Sequence, residues 1–204
     1  IIIPANFKFF SKGWSINAPK LTNIKISKDN KTYKEINGLF LLNSTNCNEE
    51  NDEKYDKIVF AKKDITNVVV PNYVKHIDSY AFDGCLSINE ILFDEGSNLE
   101  IIDNYAFSNS SLKTLKIPQK VKKIGEYIFF KCKNLETVEF DENTVIDFIN
   151  QLLFVESSIE HILIPSKFTK ICNRAFSKCM NLKSVEFSND SKLDSIEPWA
   201  FAQS

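Results

Sequence analysis

The chain has 204 residues, 43% of them hydrophobic and 12% aromatic, so it holds enough apolar material for a folded core. Lysine plus arginine (25) nearly balances aspartate plus glutamate (27), and the formal net charge of −2 excludes a general nucleic-acid binder. No apolar run reaches the roughly 18 residues that a membrane helix needs, so we expect no membrane insertion by this chain.

Residues 1–42 have an irregular apolar pattern. Leu21, Ile24 and Ile26 are spaced as alternate residues of a short strand, and residues 1–3, before a proline, predict a still earlier strand. Four aromatic residues are predicted to fill the core of a degenerate coil: Phe7, Phe9, Phe10 and Trp14. We therefore expect irregular N-terminal repeats. The sequence starts without an initiator Met and stops inside a repeat, so we also expect a fragment of a longer chain.

Residues 43–57 form a polar acidic insertion between two apolar segments, 38–42 and 58–61. Two apolar strands around a polar loop predict a hairpin. The carboxylates of this loop could gather a calcium ion, but the fixed ligand positions and the glycine of an EF-hand are absent. We therefore predict a solvated loop and no metal site.

Residues 58–204 repeat in alternating units of 22 and 25 residues. Six phenylalanines, which we call the marker phenylalanines, show this repeat at spacings of 25, 22, 25, 22 and 25 residues: Phe82, Phe107, Phe129, Phe154, Phe176 and Phe201. Periods of this size indicate a solenoid, in which each unit forms one coil that contacts its neighbours. We therefore predict one continuous array instead of separate domains.

Each regular unit begins with three apolar positions in the order Leu-x-x-Leu-x-Leu, as in Leu112, Leu115 and Ile117. This spacing predicts a short strand, and successive strands should pair in parallel at about 4.7–4.9 Å. Pro118 follows directly and should end the strand, because proline has no N–H group for the sheet. Phe129 should then fill the far side of the coil.

A longer frame of residues recurs with the larger period, and one copy consists of Ile117-Pro118, Val121, Ile124, Ile128-Phe129 and Cys132. This frame resembles the BspA-like leucine-rich repeats, also called the Treponema pallidum type, of bacterial and protist surface proteins, and the acidic insertion resembles the protist variety. The resemblance implies a leucine-rich repeat solenoid, an α/β-type horseshoe or a right-handed superhelix. One parallel β-sheet is expected on the concave side, with short helical or irregular segments on the convex side.

The five cysteines and two histidines show neither a disulfide pattern nor a metal pattern. Cys85, Cys132 and Cys179 occupy one equivalent position two coils apart, which separates neighbours by about 9–10 Å. This distance exceeds the limit of about 7 Å for a disulfide, so we predict free, buried thiols. His76, expected on a turn, and His161, expected at an exposed strand position, lack zinc-like spacing, and both are predicted to be solvated.

Side chains that alternate with the core residues of each strand should face solvent on the sheet. Twelve such positions form the candidate protein-contact face: Asn67, Val69, Glu90, Leu92, Thr114, Lys116, Thr137, Glu139, His161, Leu163, Ser184 and Glu186. Val69 and Leu92 are adjacent apolar residues, with Leu163 further along, and exposed apolar patches can mark contact surfaces. No catalytic, cofactor-binding or metal-binding residue is predicted.

Sequence patterns of common enzyme classes are absent, including the nucleophile elbow, the phosphate-binding loop and the dinucleotide-binding glycine pattern. We therefore expect no enzymatic activity and no cofactor. The resemblance implies a cell-surface or extracellular adhesin that binds host or matrix proteins through its sheet face. The alternative is an intracellular leucine-rich repeat scaffold for protein-protein interaction.

Overall fold

Short strands dominate this computed structural model, which describes residues 1–44 and 52–204. In chain order the strands are β1 (Ile2–Ile3), β2 (Lys25–Ile26), β3 (Tyr33–Ile36), β4 (Leu39–Leu42), β5 (Lys57–Ala61), β6 (Asn67–Val70), β7 (His76–Ile77), β8 (Glu90–Phe93), β9 (Ile101–Ile102), β10 (Thr114–Ile117), β11 (Lys123–Ile124), β12 (Thr137–Phe140), β13 (Phe148–Ile149), β14 (His161–Ile164), β15 (Lys170–Ile171), β16 (Ser184–Phe187) and β17 (Ser195–Ile196). A short 3-10 helix, Asp52–Lys54, precedes β5.

The first strand of each regular unit lies in one six-stranded parallel sheet, which we call the front sheet. The sheet runs from β6 through β8, β10, β12 and β14 to β16, so units that are neighbours in sequence are neighbours in space. The register is kept between coils, with Lys116 opposite Glu139. Three of the strands end directly before a proline, at Val70, Ile117 and Ile164. The predicted solenoid with a parallel sheet is confirmed.

Of the helical or irregular segments expected on the convex side, the structure supports the irregular ones and not the helical ones. In residues 1–44 and 52–204 the far part of the coils contains two-residue strands instead. β7, β9 and β11 continue in parallel from β5, and β15 pairs in parallel with both β13 and β17. Each regular coil therefore has a second, shorter strand, and further ladders accompany the single sheet that was expected.

Left-handed residues explain why a helix does not form there. Tyr105 (φ 60°) and Asn109 (φ 51°) enclose the buried Phe107, and a right-handed helix cannot continue through left-handed residues. The N–H of Tyr105 donates to the carbonyl oxygen of Glu126 on the next coil at 3.0 Å. The N–H of Asn109 donates to the carbonyl oxygen of Phe130 at 2.8 Å. Within the described residues, none of the helical segments is long and apolar enough to cross a membrane.

The N-terminal residues form a small core of their own. β1 and β2 pair in parallel, and the buried members of this core are Ile3, Ile24, Phe40 and Phe60. The rings of Phe10 and Trp14 stack on each other with their centroids 4.5 Å apart, and both pack against this core. Phe9 is 71% exposed, so its predicted place in the core is wrong. The neighbouring Phe10 occupies the inward position instead.

β4 and β5 are antiparallel neighbours on either side of the acidic segment. Both strands contribute to the main core through Leu39, Leu41 and Ile58. The centre of the segment, residues 45–51, lies outside the described residues, and with it Cys47 and Glu49. The predicted boundaries of the insertion and of the repeats stay predictions.

The six marker phenylalanines form one column through the coils. Successive ring centroids lie 5.3, 5.8, 5.2, 5.0 and 5.1 Å apart. The first five rings, from Phe82 to Phe176, are at most 1% exposed. Burial of one such side chain stabilises the fold by roughly 1.5–3 kcal/mol, and contacts between aromatic rings add to this. The repeat period in the sequence is therefore the period of this column.

Candidate protein-contact face

The outward side chains of the front sheet form the surface that we call the front face. The structure brings all twelve predicted contact residues together on it: Asn67, Val69, Glu90, Leu92, Thr114, Lys116, Thr137, Glu139, His161, Leu163, Ser184 and Glu186. Ten of them are exposed, and Thr137 and Ser184 are half-buried. They share one face because successive side chains of a strand point to opposite sides of the sheet.

Three aliphatic side chains are exposed on the front face. Val69 is 52% exposed, Leu92 50% and Leu163 56%. Val69 and Leu92 are register partners on β6 and β8, so the strand spacing of about 4.8 Å brings them into one patch. Leu163 lies further along the sheet, on β14. Adjacent exposed aliphatic groups can mark a contact surface.

Two open cavities adjoin these aliphatic side chains. The first has a volume of about 520 Å³ and is lined by Leu92, Phe93 and Lys116, among others. The second has a volume of about 390 Å³ and is lined by Leu163 and Phe140, among others. The front face therefore offers two separate depressions, and each has an exposed leucine in its wall.

Ser184, His161 and Glu160 form a chain of polar groups near one end of the front face. His161 lies at the exposed strand position predicted for it, with Nδ1 2.9 Å from Ser184 Oγ. Glu160 Oε2 is 4.0 Å from His161 Nε2, which is too long for a hydrogen bond. Lys183 holds this carboxylate instead, and its hydrogen bond of 2.7 Å lowers the pKa of Glu160. In this group of three, therefore, no carboxylate is hydrogen-bonded to His161 to orient it as the base for Ser184.

His76 does not lie on a solvated turn, so that prediction is wrong. It lies half-buried on β7, with Nε2 2.9 Å from Asp103 Oδ2. The contact arises because β7 and β9 pair in parallel and stack the two coils. Partial burial acts to raise the pKa of Asp103, but the hydrogen bond and charge of His76 and the charge of Lys123 outweigh it and lower that pKa.

His76, Asp78 and Asp103 offer three ligand atoms within 4.8 Å of one another, which is close enough for a metal ion. Each carboxylate already has a cationic partner, however. Lys57 Nζ lies 3.1 Å from Asp78, and Lys123 Nζ lies 3.5 Å from Asp103. A divalent ion would have to displace both ammonium groups, so the cluster fits an ion-pair network between coils better than a metal site.

Cys85, Cys132 and Cys179 are free and fully buried, so the prediction of free, buried thiols is confirmed. Burial raises the pKa of Cys85 to about 12 and the pKa of both Cys132 and Cys179 to about 11. Cys172 is free and half-buried, and burial raises its pKa as well. Because the thiolate is the reactive form, the three buried thiols should be inert in the folded protein.

We expect maleimide to label Cys172 in the native protein and to leave Cys85, Cys132 and Cys179 unlabelled. Unfolding in denaturant removes the burial that raises their pKa values, so all of these thiols should then react. Peptide mapping by mass spectrometry distinguishes the positions. Rapid native labelling of Cys132 would contradict its buried position between the coils.

A column of stacked tyrosine rings was not predicted from the sequence. It consists of Tyr80, Tyr105 and Tyr127. Their ring centroids are 4.9 and 4.7 Å apart, with interplanar angles of 7° and 4°. The signal in the sequence is a tyrosine two residues before each of three marker phenylalanines. The rings cover one another's faces, and burial raises the pKa of Tyr80 and Tyr105. This column stabilises the stacking of the coils.

Comparison with known proteins identifies the repeat. The BspA type leucine rich repeat region matches in six copies, over residues 53–182 and 147–204. No curated protein matches the chain. The crystal structure of a leucine-rich repeat protein from Eubacterium ventriosum has a TM-score of 0.80 at 20% identity, over 99% of this chain and 57% of that one. The pneumococcal vaccine antigen PcpA has a TM-score of 0.60 at 14% identity, over 96% of this chain and 54% of that one.

The chain spans just over half the length of these two solved proteins. At these identities their likeness shows the fold. Leucine-rich repeat proteins are protein-interaction modules, and their fold is generally non-enzymatic. The matched repeats cover most of the chain and coincide with the coils of the front sheet. The chain therefore belongs to the BspA-type leucine-rich repeat family.

Proposed function

We propose that this chain is a non-enzymatic adhesion module that acts at the cell surface and binds host or extracellular-matrix proteins through the front face. The observation that carries the proposal is the front face itself. Its parallel strands hold Val69, Leu92 and Leu163 exposed in a fixed register. Exposed aliphatic groups in a polar surround suit recognition of a protein.

The sheet also supports binding because its backbone is already ordered, so little conformational entropy is lost when a partner binds. Strand residues are held by the hydrogen bonds of the ladder, so their backbone loses little freedom when a partner binds. The outward side chains from β6 to β16 extend over six coils. A surface of this length suits an extended contact with a protein better than a site for one small molecule.

We expect beads coated with the purified chain to bind a layer of extracellular matrix deposited by cultured host cells. The double variant Val69→Asp/Leu92→Asp should reduce bead binding by roughly tenfold or more, because it places two charges in the apolar patch. The matched control, Leu86→Asp/Met180→Asp, changes two exposed apolar side chains outside the front sheet, at 60% and 79% exposure. Equal losses for both double variants would contradict the front face as the contact surface.

The intracellular scaffold is the second candidate, and the free thiols are compatible with it. Cys85, Cys132, Cys172 and Cys179 are unbridged, and thiols persist in reducing compartments. Antibody labelling of intact cells that produce the protein distinguishes the two candidates. Labelling of intact cells supports the adhesin, whereas labelling that requires permeabilisation contradicts it and supports the scaffold.

A further inference from the structure

One of the two cavities on the front face has a distinct chemistry. It lies over β12, β14 and β16, has a volume of about 390 Å³, and is lined by Glu139, Phe140, Glu142, Leu163 and Glu186, among others. We call it the acidic groove. We propose that the acidic groove binds a basic side chain, arginine or lysine, next to an apolar side chain in a segment of a protein partner. This inference rests on the proposed function of the front face and names the partner's chemistry.

The apolar part of the groove is ready for contact. Leu163 is 56% exposed in its wall, and Phe140 and Pro165 also line it. The volume lies near the lower end of the range of roughly 300–1,000 Å³ that is typical of ligand clefts. Such a space suits one or two side chains of a partner. An apolar group that covers Leu163 would remove an exposed aliphatic surface from water.

The charge of the groove selects the rest of the occupant. Glu139, Glu142 and Glu186 are exposed, and within residues 1–44 and 52–204 none of them forms an ion pair. Lysine and arginine are missing from the residues that line the groove. Lys116 is the register partner of Glu139, but it lines the other cavity and does not pair with it. Three negatively charged carboxylates without a cationic partner favour the binding of a cation between them.

Some carboxylates elsewhere on the surface have cationic partners within the chain. Glu160 pairs with Lys183 at 2.7 Å, and Glu156 pairs with both Lys131 and Lys178. These acidic side chains have their cations within the chain. Lysine and arginine are missing from the lining of the acidic groove, whose one histidine is His161, so a cation from outside the chain would complete it.

Arginine and lysine meet both requirements of the groove at once. Their aliphatic stems pack on apolar surface, as on Leu163, while the charged ends reach out to carboxylates such as Glu139 and Glu186. Arginine adds a planar group that can bind a carboxylate through two hydrogen bonds. An acidic peptide or a sulfated glycan would meet like charge in this groove and is disfavoured there.

A display library of random short peptides, panned against the immobilised chain, tests the inference. We expect the enriched peptides to contain arginine or lysine beside leucine, valine or phenylalanine. For a synthetic enriched peptide, fluorescence anisotropy should show binding roughly tenfold weaker with Glu139→Gln/Glu186→Gln. Leu163→Ser should also weaken binding, and added salt should weaken it further because it screens exposed charges.

The matched control is Asp29→Asn/Asp64→Asn, which neutralises two exposed carboxylates outside the front sheet. It should leave the peptide affinity unchanged. All these positions are exposed, so the variants should unfold at the same temperature as the parent chain.

Three outcomes would overturn the inference. Failure to enrich basic peptides is the first, and unchanged affinity in the Glu139→Gln/Glu186→Gln variant is the second. The third is enrichment of other peptides that bind the apolar patch and are lost with Val69→Asp/Leu92→Asp. This last result would leave the proposed function standing, whereas peptides insensitive to every front-face variant would contradict both.

Discussion

Phe129→Ala is expected to lower the free energy of unfolding by about 3–5 kcal/mol. Phe129 is 1% exposed, and its ring centroid lies 5.8 Å from that of Phe107 and 5.2 Å from that of Phe154. Truncation leaves a cavity between two coils. Neighbouring coils cannot collapse into it, because hydrogen bonds between the coils maintain their spacing. Urea denaturation followed by circular dichroism measures the change.

Two exposed positions serve as controls for this variant. Phe9→Ala removes the same side chain from a site that is 71% exposed, and Lys116→Ala truncates an exposed residue of the front face. Each should change the free energy of unfolding by no more than about 0.5 kcal/mol. A loss with either control as large as that of Phe129→Ala would contradict the structural role of the phenylalanine column.

Asp83→Ala is expected to lower the free energy of unfolding by about 1–3 kcal/mol, the typical cost of leaving buried hydrogen-bonding groups without a partner. Asp83 is 4% exposed, and its Oδ1 accepts hydrogen bonds from the Ser108 hydroxyl and, at 3.1 Å, from Asn109 Nδ2. Lys63, 3% exposed, donates to the carbonyl oxygen of Asp83 and lies 4.9 Å from the ring centroid of Phe60.

Burial lowers the pKa of Lys63, and the charge of Asp83 is among the interactions that oppose this shift. Alanine at position 83 would therefore leave the buried ammonium of Lys63 with less compensation. It would also leave Ser108 and Asn109 without their acceptor, although every buried side-chain polar atom in the described residues now has a partner. Each such loss destabilises the fold because the freed group stays away from water.

The variant Asp83→Asn removes the charge of the side chain but keeps its capacity to accept a hydrogen bond. Asparagine keeps an acceptor oxygen for Ser108, so this variant should lose less stability than Asp83→Ala. The exposed Asp190 provides the control, and Asp190→Ala should change the free energy of unfolding by no more than about 0.5 kcal/mol. Thermal and urea unfolding at neutral pH measure all three variants. Equal stability of Asp83→Ala and Asp190→Ala would contradict the buried network.

The solenoid could be predicted because its core residues recur once in every coil. Phe129 has an equivalent in each regular unit, and the proline after Ile117 marks the end of a strand in the same way in three units. The buried state of Cys132 follows from the same frame. Such positions are visible in one sequence, because each coil must place an apolar side chain at the same point of the stack.

The errors concern residues whose surroundings come from other coils. His76 binds Asp103, which is 27 residues away in the chain. Phe9 lies beside the inward Phe10, and their short distance in sequence did not show which of the two would be buried. Where a helical or irregular segment was expected, Tyr105 adopts a left-handed conformation that its residue type does not favour and that ends any right-handed helix. In these cases the contacts between coils overrode the local preference.

On the front face, some features follow from the sequence pattern and others depend on contacts between coils. The outward positions of Glu139, Leu163 and Glu186 follow from alternation along each strand, and the sequence alone places them there. Glu139 and Glu186 also flank one apolar depression and form no ion pair there. This arrangement depends on distances between three coils. Lysines lie near them in sequence, and Lys183, for example, pairs with Glu160 instead. Only the stacked coils show which carboxylates have cationic partners.

By itself, the sequence determined the period of the array, the inward phenylalanine column, the free thiols and the outward positions of the front face. These features follow from periodicity along the chain, which the fold converts directly into stacking. Only the tertiary structure decided that, in the described residues, the far side carries short ladders and no long helix, that His76 pairs with Asp103, and that neither lysine nor arginine lines the acidic groove. These features depend on distances and hydrogen bonds between coils, and local spacing does not specify them.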